Sequence, residues 1–315
     1  MISIIIPTLN GGELFSKVLE SIAMQEIHDE YELLVYDSAS TDDTVKYAQS
    51  FGAEVVSVDR KNFDHGGTRT LAAQKAVGDI LVFMTQDAVL VGCNSLALLI
   101  EPLRKNESSS VAVTYGRQLP NKDATPAAAH LRLFNYPPEP LVKTNNDKRK
   151  YGLKTVFVSN SFAAYKQDSL ATCGYFKQGL IFGEDTCAVG RLLLEGYAIQ
   201  YVSEAQVYHS HNYSLVEEFK RHFDIGVLHS AENWLLQEYG VAEGHGANYV
   251  RSAFSYFIRN NGWYLIPDLI IRSGMKYMGY KFGRNYKSLP VLLRMKLSMY
   301  SAWWKQGAVS ECSNK

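Results

Sequence analysis

The sequence predicts an α/β protein, built on a mostly parallel sheet and followed by a helical appendage. Three observations carry this reading. Short β-branched or aromatic runs alternate with stretches of helical period through the first hundred residues, the pattern of strands joined by crossover helices. The helices of that region open directly behind the strands, on Asn, Ser, Thr or Gly, which suit helix starts. From about Ser214 onward the apolar spacing is helical and aromatic residues are dense.

Taken in order, "ISIII" reads as the first strand and the first helix begins after "TLNGG". "YELLVYD" is the second strand, with a helix after "SASTDDT"; "EVVSV" is the third, with a helix at "HGGTRTLAAQKA". "ILVFMT" and "VAVTYGRQ" follow as strands. Leu119 to Lys154 is polar, Pro-bearing and Lys-rich without sustained periodicity, so it reads as a long irregular insertion. "TVFVSNSFAAYKQDSL" resumes regular structure, "GEDTCAVGRLLLEGY" is a helix, and "AIQYVSEAQVYHSHNYS" is strand and loop. This gives an α/β domain over residues 1–213 and a helical region over 214–315.

The totals are those of a globular chain: 315 residues, 46% hydrophobic, 20% charged. The four cysteines form no CxxC pair, which argues against a zinc knuckle or a disulfide framework and for a reducing, cytoplasmic setting. The opening "MISIIIPTLNGG" lacks a basic leader and reads as a strand. No run approaches the roughly 18 apolar residues that a membrane span needs. Charge is segregated: ten Lys or Arg and one acid, Asp268, lie between Ala247 and Gly307, although the whole chain carries 32 of each sign. That segment also holds Trp263, Trp303 and Trp304, a combination suited to a helix on anionic lipid, and equally to a packed appendage or an oligomer interface such as a homodimer.

Candidate chemistry sits where strands end, the edge at which open α/β sheets bind ligands. Asp37 closes the second strand and can accept hydrogen bonds from a base or ribose, or simply belong to a capped turn. "FDHGGTR" sets two glycines beside Arg69, either an anion site or a structural turn. Asp87 is an isolated acid one position beyond the expected end of a central strand; buried, it needs hydrogen bonds or a cation. Glu184 and Asp185 open a helix, where the dipole favours acids and where one of them would serve as a general base if it faced the same cleft. His209 and His211, two apart, fall on one side of a strand and would complete a cation site or pack as ordinary polar residues.

In succession these residues resemble the inverting nucleotide-sugar glycosyltransferases of family 2, which have the GT-A fold. "SIIIPTLNGGELFSKVLESI", "LLVYDSASTDDT", "NFDHGGTRTLAAQKAVGDILVFMTQDA", "GEDT" and "RLLLEGYAIQYVSEAQVYHSHN" match the family's blocks in order over about the first 215 residues. Within it, "FDHGGTR" with "TQDA" looks most like bacterial rhamnosyltransferases that build O-antigen or other surface polysaccharides.

The resemblance implies a role for each residue. Asp37 and Ser38 would bind the nucleotide, over a floor lined by Pro7, Thr8 and Asn10, with Arg69, Gln86 and Asp87 around it. The family's acid-x-acid motif falls on Thr85, Gln86 and Asp87, so one acid remains to hold Mg²⁺ or Mn²⁺, with diphosphate oxygens, waters and His209 or His211 as the other ligands. Asp185 would be the catalytic base, with Glu184 the alternative, and Asn160 and Ser161 would meet donor sugar or acceptor. The implied reaction transfers L-rhamnose from dTDP-rhamnose to a saccharide acceptor, lipid-linked in the membrane reading, by a cytoplasmic enzyme peripheral on the inner face of the cytoplasmic membrane. The rivals are a UDP-hexose transferase of the same fold and a non-catalytic polysaccharide-assembly scaffold. No GxGxxG follows the first strand, which argues against a dinucleotide oxidoreductase, and the basic stretch has no nucleic-acid motif.

Overall fold

The computed structural model describes residues 1–61, 63–104, 110–240 and 243–305. The chain divides into two compact units, one of residues 1–123, 132–180 and 184–210, the other of residues 124–131, 181–183 and 211 onward. The first contains β1 (Ile2–Thr8), α1 (Gly12–Ala23), β2 (Tyr31–Asp37), α2 (Thr44–Ser50), β3 (Glu54–Ser57), α3 (His65–Lys75), β4 (Ile80–Met84) and β5 (Val89–Leu90). It continues with α4 (Ser95–Arg104), β6 (Val111–Leu119), α5 (Pro126–Asn135), β7 (Leu141–Lys143), α6 (Lys148–Tyr151), β8 (Phe162–Lys166), α7 (Gln167–Thr172), α8 (Glu184–Leu194) and β9 (Ala198–Tyr208). The first turn and a half of α5 belongs to the second unit.

Among the described residues nine strands form one sheet in the order β3-β2-β1-β4-β8-β6-β9-β5, with β7 paired to β9. β3, β2, β1 and β4 run parallel; β8 is antiparallel to both β4 and β6, and β6 and β9 are parallel to each other. This is the α/β fold expected. Every residue of β4 is buried, and in β1 only Pro7 is partly exposed, as in parallel strands covered on both faces. On one face Ile2, Ile4 and Ile6 pack with Val35, Val82 and Phe162 and with the i, i+3, i+4, i+7 stripe of α1, Phe15, Val18, Leu19 and Ile22. Phe83 points the other way and meets Tyr165 and Phe176 edge-on at 5.6 and 5.1 Å. Each such side chain, fully buried, contributes about 1.5–3 kcal/mol.

The insertion read as irregular over Leu119 to Lys154 contains α5, β7 and α6. α5 starts as helices commonly do: Thr125 Oγ1 accepts from Ala128 N at 3.3 Å and Pro126 fills the first helical position.

The second unit contains α9 (Leu215–Ala231), α10 (Asn233–Tyr239), α11 (Glu243–Arg259), α12 (Ile266–Arg284) and α13 (Val291–Leu297). Ser214 and Glu217 close a reciprocal capping box at the start of α9. α9 and α12 cross with backbones in contact, because glycines line the crossing. A Cβ on Gly283 would stand 1.9 Å from Phe223 O, one on Gly279 2.3 Å from Phe219 O, and one on Gly226 2.4 Å from Tyr280 O. Gly279 and Gly283, four apart, share one helix face. No described helix is long and apolar enough to cross a membrane.

Candidate active site

The ends of β1 and β2 are tied together by Asp37. Thr8 and Asp37 are register partners, and Thr8 Oγ1 donates to Asp37 Oδ1 at 3.1 Å. Ser40 donates to the same carboxylate from its backbone N at 2.8 Å and its hydroxyl at 2.5 Å. Asn10, held at φ 48, receives Thr41 N on Oδ1 at 2.8 Å, while its own N donates to Ser40 Oγ at 2.8 Å. Ser38 Oγ is buried with no hydrogen-bond partner, a donor left over for a ligand. Asp37 and Ser38 thus stand beside Pro7, Thr8 and Asn10 at the ends of β1 and β2.

β4 ends at Met84, and Thr85, Gln86 and Asp87 form a turn, so Asp87 stands further from the strand than the single position expected. Gln86 binds the β1 loop in both directions: Oε1 accepts from Leu9 N at 2.8 Å and Nε2 donates to Leu9 O at 3.0 Å. Its amide latches two loops.

Asp87 Oδ1 lies 3.4 Å from His209 Nε2. The ligand nitrogen of His211, two residues along the chain, lies within 4.8 Å of both. The tautomer of His209 follows from its other side. Gln118 Oε1 accepts from Arg132 Nη1 at 2.7 Å; an arginine only donates, so the amide oxygen must face it. His209 Nδ1, 3.0 Å from that same oxygen, must therefore carry the proton. Unless the ring is protonated, Nε2 then presents a lone pair to a carboxylate, an arrangement that a cation resolves. One carboxylate and two imidazoles fit Mn²⁺, and Mg²⁺ less well.

The third acid is set by β8 and α8. Asp185 Oδ1 accepts from Thr186 N at 2.7 Å and Oδ2 from Asn160 N at 3.2 Å. Asn160 is buried, its Oδ1 fixed by Tyr165 Oη at 2.8 Å, and its side chain helps hold Glu184 in its ionised form. Ser161 O receives Thr85 N at 3.4 Å, which joins this segment to the turn of Asp87. Because β2, β1, β4 and β8 are neighbours in the sheet, Asp37, Asp87 and Asp185 all stand at one edge of it. Desolvation first, and the neighbouring charge of Glu184 second, push the Asp185 carboxyl up to about 6.

Glu184 and Arg69 are occupied with each other. Arg69 Nη1 donates to Glu184 Oε1 at 2.8 Å, and the side chains are only 6% and 7% exposed. Burial pushes the Glu184 carboxyl up, but Arg69 and His65 pull it down further, and it stays below the ordinary value. The guanidinium thus meets a carboxylate through Nη1, while its buried Nε has no hydrogen-bond partner among the described residues. The glycines beside it serve chain packing: a Cβ on Gly66 would stand 2.0 Å from Lys177 O. Asp64 caps α3 through Gly67 N at 2.5 Å and also receives Gly179 N at 3.1 Å. Gln118, Arg132 and Tyr165 were missed in the sequence; an isolated Gln on a strand and an Arg in an unrecognised helix give no local signal.

Known proteins bear on this arrangement. Residues 3–174 match the model of glycosyl transferase family 2. The O-antigen chain rhamnosyltransferase RfbN of Salmonella typhimurium is 39% identical over 309 residues, 96% of each chain. WbaN of Salmonella anatum, also an O-antigen chain rhamnosyltransferase, is 38% identical over 303 residues, 96% of this chain and 95% of that one. Among solved structures, a mannosyltransferase from Pyrobaculum calidifontis in complex with GDP-Man and Mn²⁺ aligns over 100% of this chain and 87% of its own, at a TM-score of 0.57 and 17% identity. That likeness shows the fold, the expected GT-A architecture with its helical C-terminal part. With a family match spanning more than half its length and relatives of this identity from end to end, the chain belongs to glycosyl transferase family 2.

Proposed function

We propose that this protein transfers L-rhamnose from dTDP-β-L-rhamnose to a hydroxyl of a saccharide acceptor, with inversion, in the assembly of a bacterial surface polysaccharide. The observation that carries the chemistry is Asp185, partly exposed at the sheet edge, aimed by two backbone N–H groups and held near a pKa of about 6. Such a carboxylate is mostly ionised at neutral pH and yet basic enough to take a proton. The donor sugar is supported by the two relatives named rhamnosyltransferases.

Inversion needs the acceptor oxygen to attack the anomeric carbon from the face opposite the leaving group. As the new bond forms, the acceptor proton passes to Asp185, and the bond from the anomeric carbon to the diphosphate oxygen breaks, the nucleoside diphosphate keeping the electron pair. Asp37 and Ser38 hold the nucleoside, and Asn160 and Ser161 position the sugar or acceptor. Beside burial, the charge of Glu184, ion-paired to Arg69, raises the Asp185 carboxyl, and Glu184 is the alternative base. A divalent cation, held by Asp87 with His209 and His211, would neutralise charge on the departing diphosphate. The acceptor we favour is carried on a lipid, which suits the basic, aromatic C-terminal segment.

The test is a donor panel. dTDP-β-L-rhamnose is expected to be consumed, in transfer or slow hydrolysis, while UDP-hexoses are not, and the product is expected to be the α-anomer by its proton–carbon coupling. Consumption of a UDP-hexose alone would replace the donor, and a β-linked product would remove the inverting mechanism.

A further inference from the structure

Helix α12 is built with its charges inward and its apolar residues outward. Asp268, Arg272 and Lys276 are partly buried: Arg272 Nε donates to Asp268 at 2.6 Å, and Lys276 Nζ lies 3.4 Å from Glu218 of α9, itself buried. The exposed positions are Pro267, Ile270, Ile271, Gly274, Tyr277, Met278, Lys281 and Phe282. At the helical period these fall in one arc of about 140° with a single charge, that of Lys281. Ile270 is 65% exposed, and the turn joining α11 to α12 carries Trp263 at 69% and Tyr264 at 65%. On α11, Phe254 and Ile258 are exposed one turn apart. A water-facing helix normally shows the reverse pattern, and none of the described residues covers this face.

The charges of the same segment indicate the partner. Arg251, Arg259, Lys281, Lys287, Lys296 and Lys305 are exposed, and the one acid between residues 247 and 305, Asp268, is paired with Arg272. A second copy across a twofold axis would set these cations against themselves. An anionic lipid surface is complementary both to the cations and to exposed Trp and Tyr, whose rings suit the headgroup level. We propose that the α11–α12 hairpin is a membrane-docking surface, lying in the interface of an anionic bilayer with Trp263, Tyr264 and Ile270 inserted and its own Arg251, Arg259 and Lys281 on the headgroups. This stands on the hairpin alone and not on the identity of the transferred sugar.

The experiment is co-sedimentation of the full chain, without nucleotide or acceptor, with vesicles of phosphatidylcholine alone or of phosphatidylcholine and phosphatidylglycerol in equal parts. Binding is expected to the anionic vesicles, weakened by salt. The triple variant W263S/Y264S/I270S changes only exposed side chains and is expected to bind at least about tenfold more weakly, with an unaltered thermal transition. The charge reversals Arg259→Glu and Lys281→Glu are expected to weaken binding to anionic vesicles specifically. Equal binding by wild type and the triple variant would overturn the proposal. So would a wild-type dimer in solution, without vesicle binding, that the same variant dissociates.

Discussion

Gln118 Oε1 receives two donors, His209 Nδ1 at 3.0 Å and Arg132 Nη1 at 2.7 Å, and through the first of them it sets which face of the imidazole looks at Asp87. Gln118→Ala removes that orientation without touching a ligand atom. Mn²⁺ affinity measured by titration calorimetry is expected to fall about 10–100-fold, the usual effect of losing an outer hydrogen bond to a metal-binding histidine. Unchanged affinity would mean that His209 is oriented by other contacts.

The buried pair of Arg69 and Glu184 makes a stability prediction. Arg69→Ala leaves Glu184 charged and unpaired inside the fold, at a cost of about 3–5 kcal/mol. Arg69→Met combined with Glu184→Gln leaves no charge behind and is expected to cost less than the single change. Urea unfolding of the three proteins checks the order, and a double variant worse than Arg69→Ala would contradict it.

For catalysis, Asp185→Asn is expected to lower kcat by about 10²–10⁴, the range of a lost general base, while nucleotide affinity stays within about twofold. A dTDP titration beside the turnover assay separates the two effects. An Asn variant with full turnover would return the base role to another group.

The pH dependence follows from the raised carboxyl of Asp185. The base works ionised, so the rate is expected to rise with pH through about 6 and then level off. Stability runs the other way. A carboxyl that holds its proton more tightly when folded contributes most stability below the ordinary carboxylate range, and that contribution is lost as pH rises through about 6. Glu184→Gln removes one cause of the shift and is expected to move the rate inflection to lower pH; an inflection that stays put would detach it from Asp185.

Helix crossing offers a prediction in the second unit. Gly283→Ala places a methyl where Phe223 O already stands, 1.9 Å away, and backbone cannot move aside as a flexible side chain would. A loss of about 1–3 kcal/mol is expected, visible as a lower Tm of the full chain, whereas Gly274→Ala, with open space around it, is expected to be neutral or stabilising.

Much of this was legible in the residues themselves, because period and punctuation are local signals. The alternation of "ISIII", "YELLVYD" and "ILVFMT" with helical stretches located β1, β2 and β4, and strand ends located Asp37 and the turn of Asp87. The α5 helix escaped because its fully buried residues are only Ala128 and His130, too few and too small to mark a stripe. That Arg69 pairs with Glu184 gave no local signal, because Glu184 lies 115 positions away and only the folded sheet brings them together. The triad of Arg132, Gln118 and His209 is likewise a product of tertiary structure.

The loop lattice at the ends of β1, β2 and β4 has a thermodynamic consequence. Asn10, Ser40 and Asp37 bond to one another and Gln86 to the Leu9 backbone across three loops, so on the proposed function the cradle for a nucleoside would exist before any donor arrives. Little chain freedom remains to be given up there on capture, and the ordering penalty that accompanies recognition by flexible loops is largely settled during synthesis and folding of the polypeptide. Selectivity among donors is then a matter of fit to a rigid mould, and discrimination should show in how long a nucleotide stays more than in how quickly it enters.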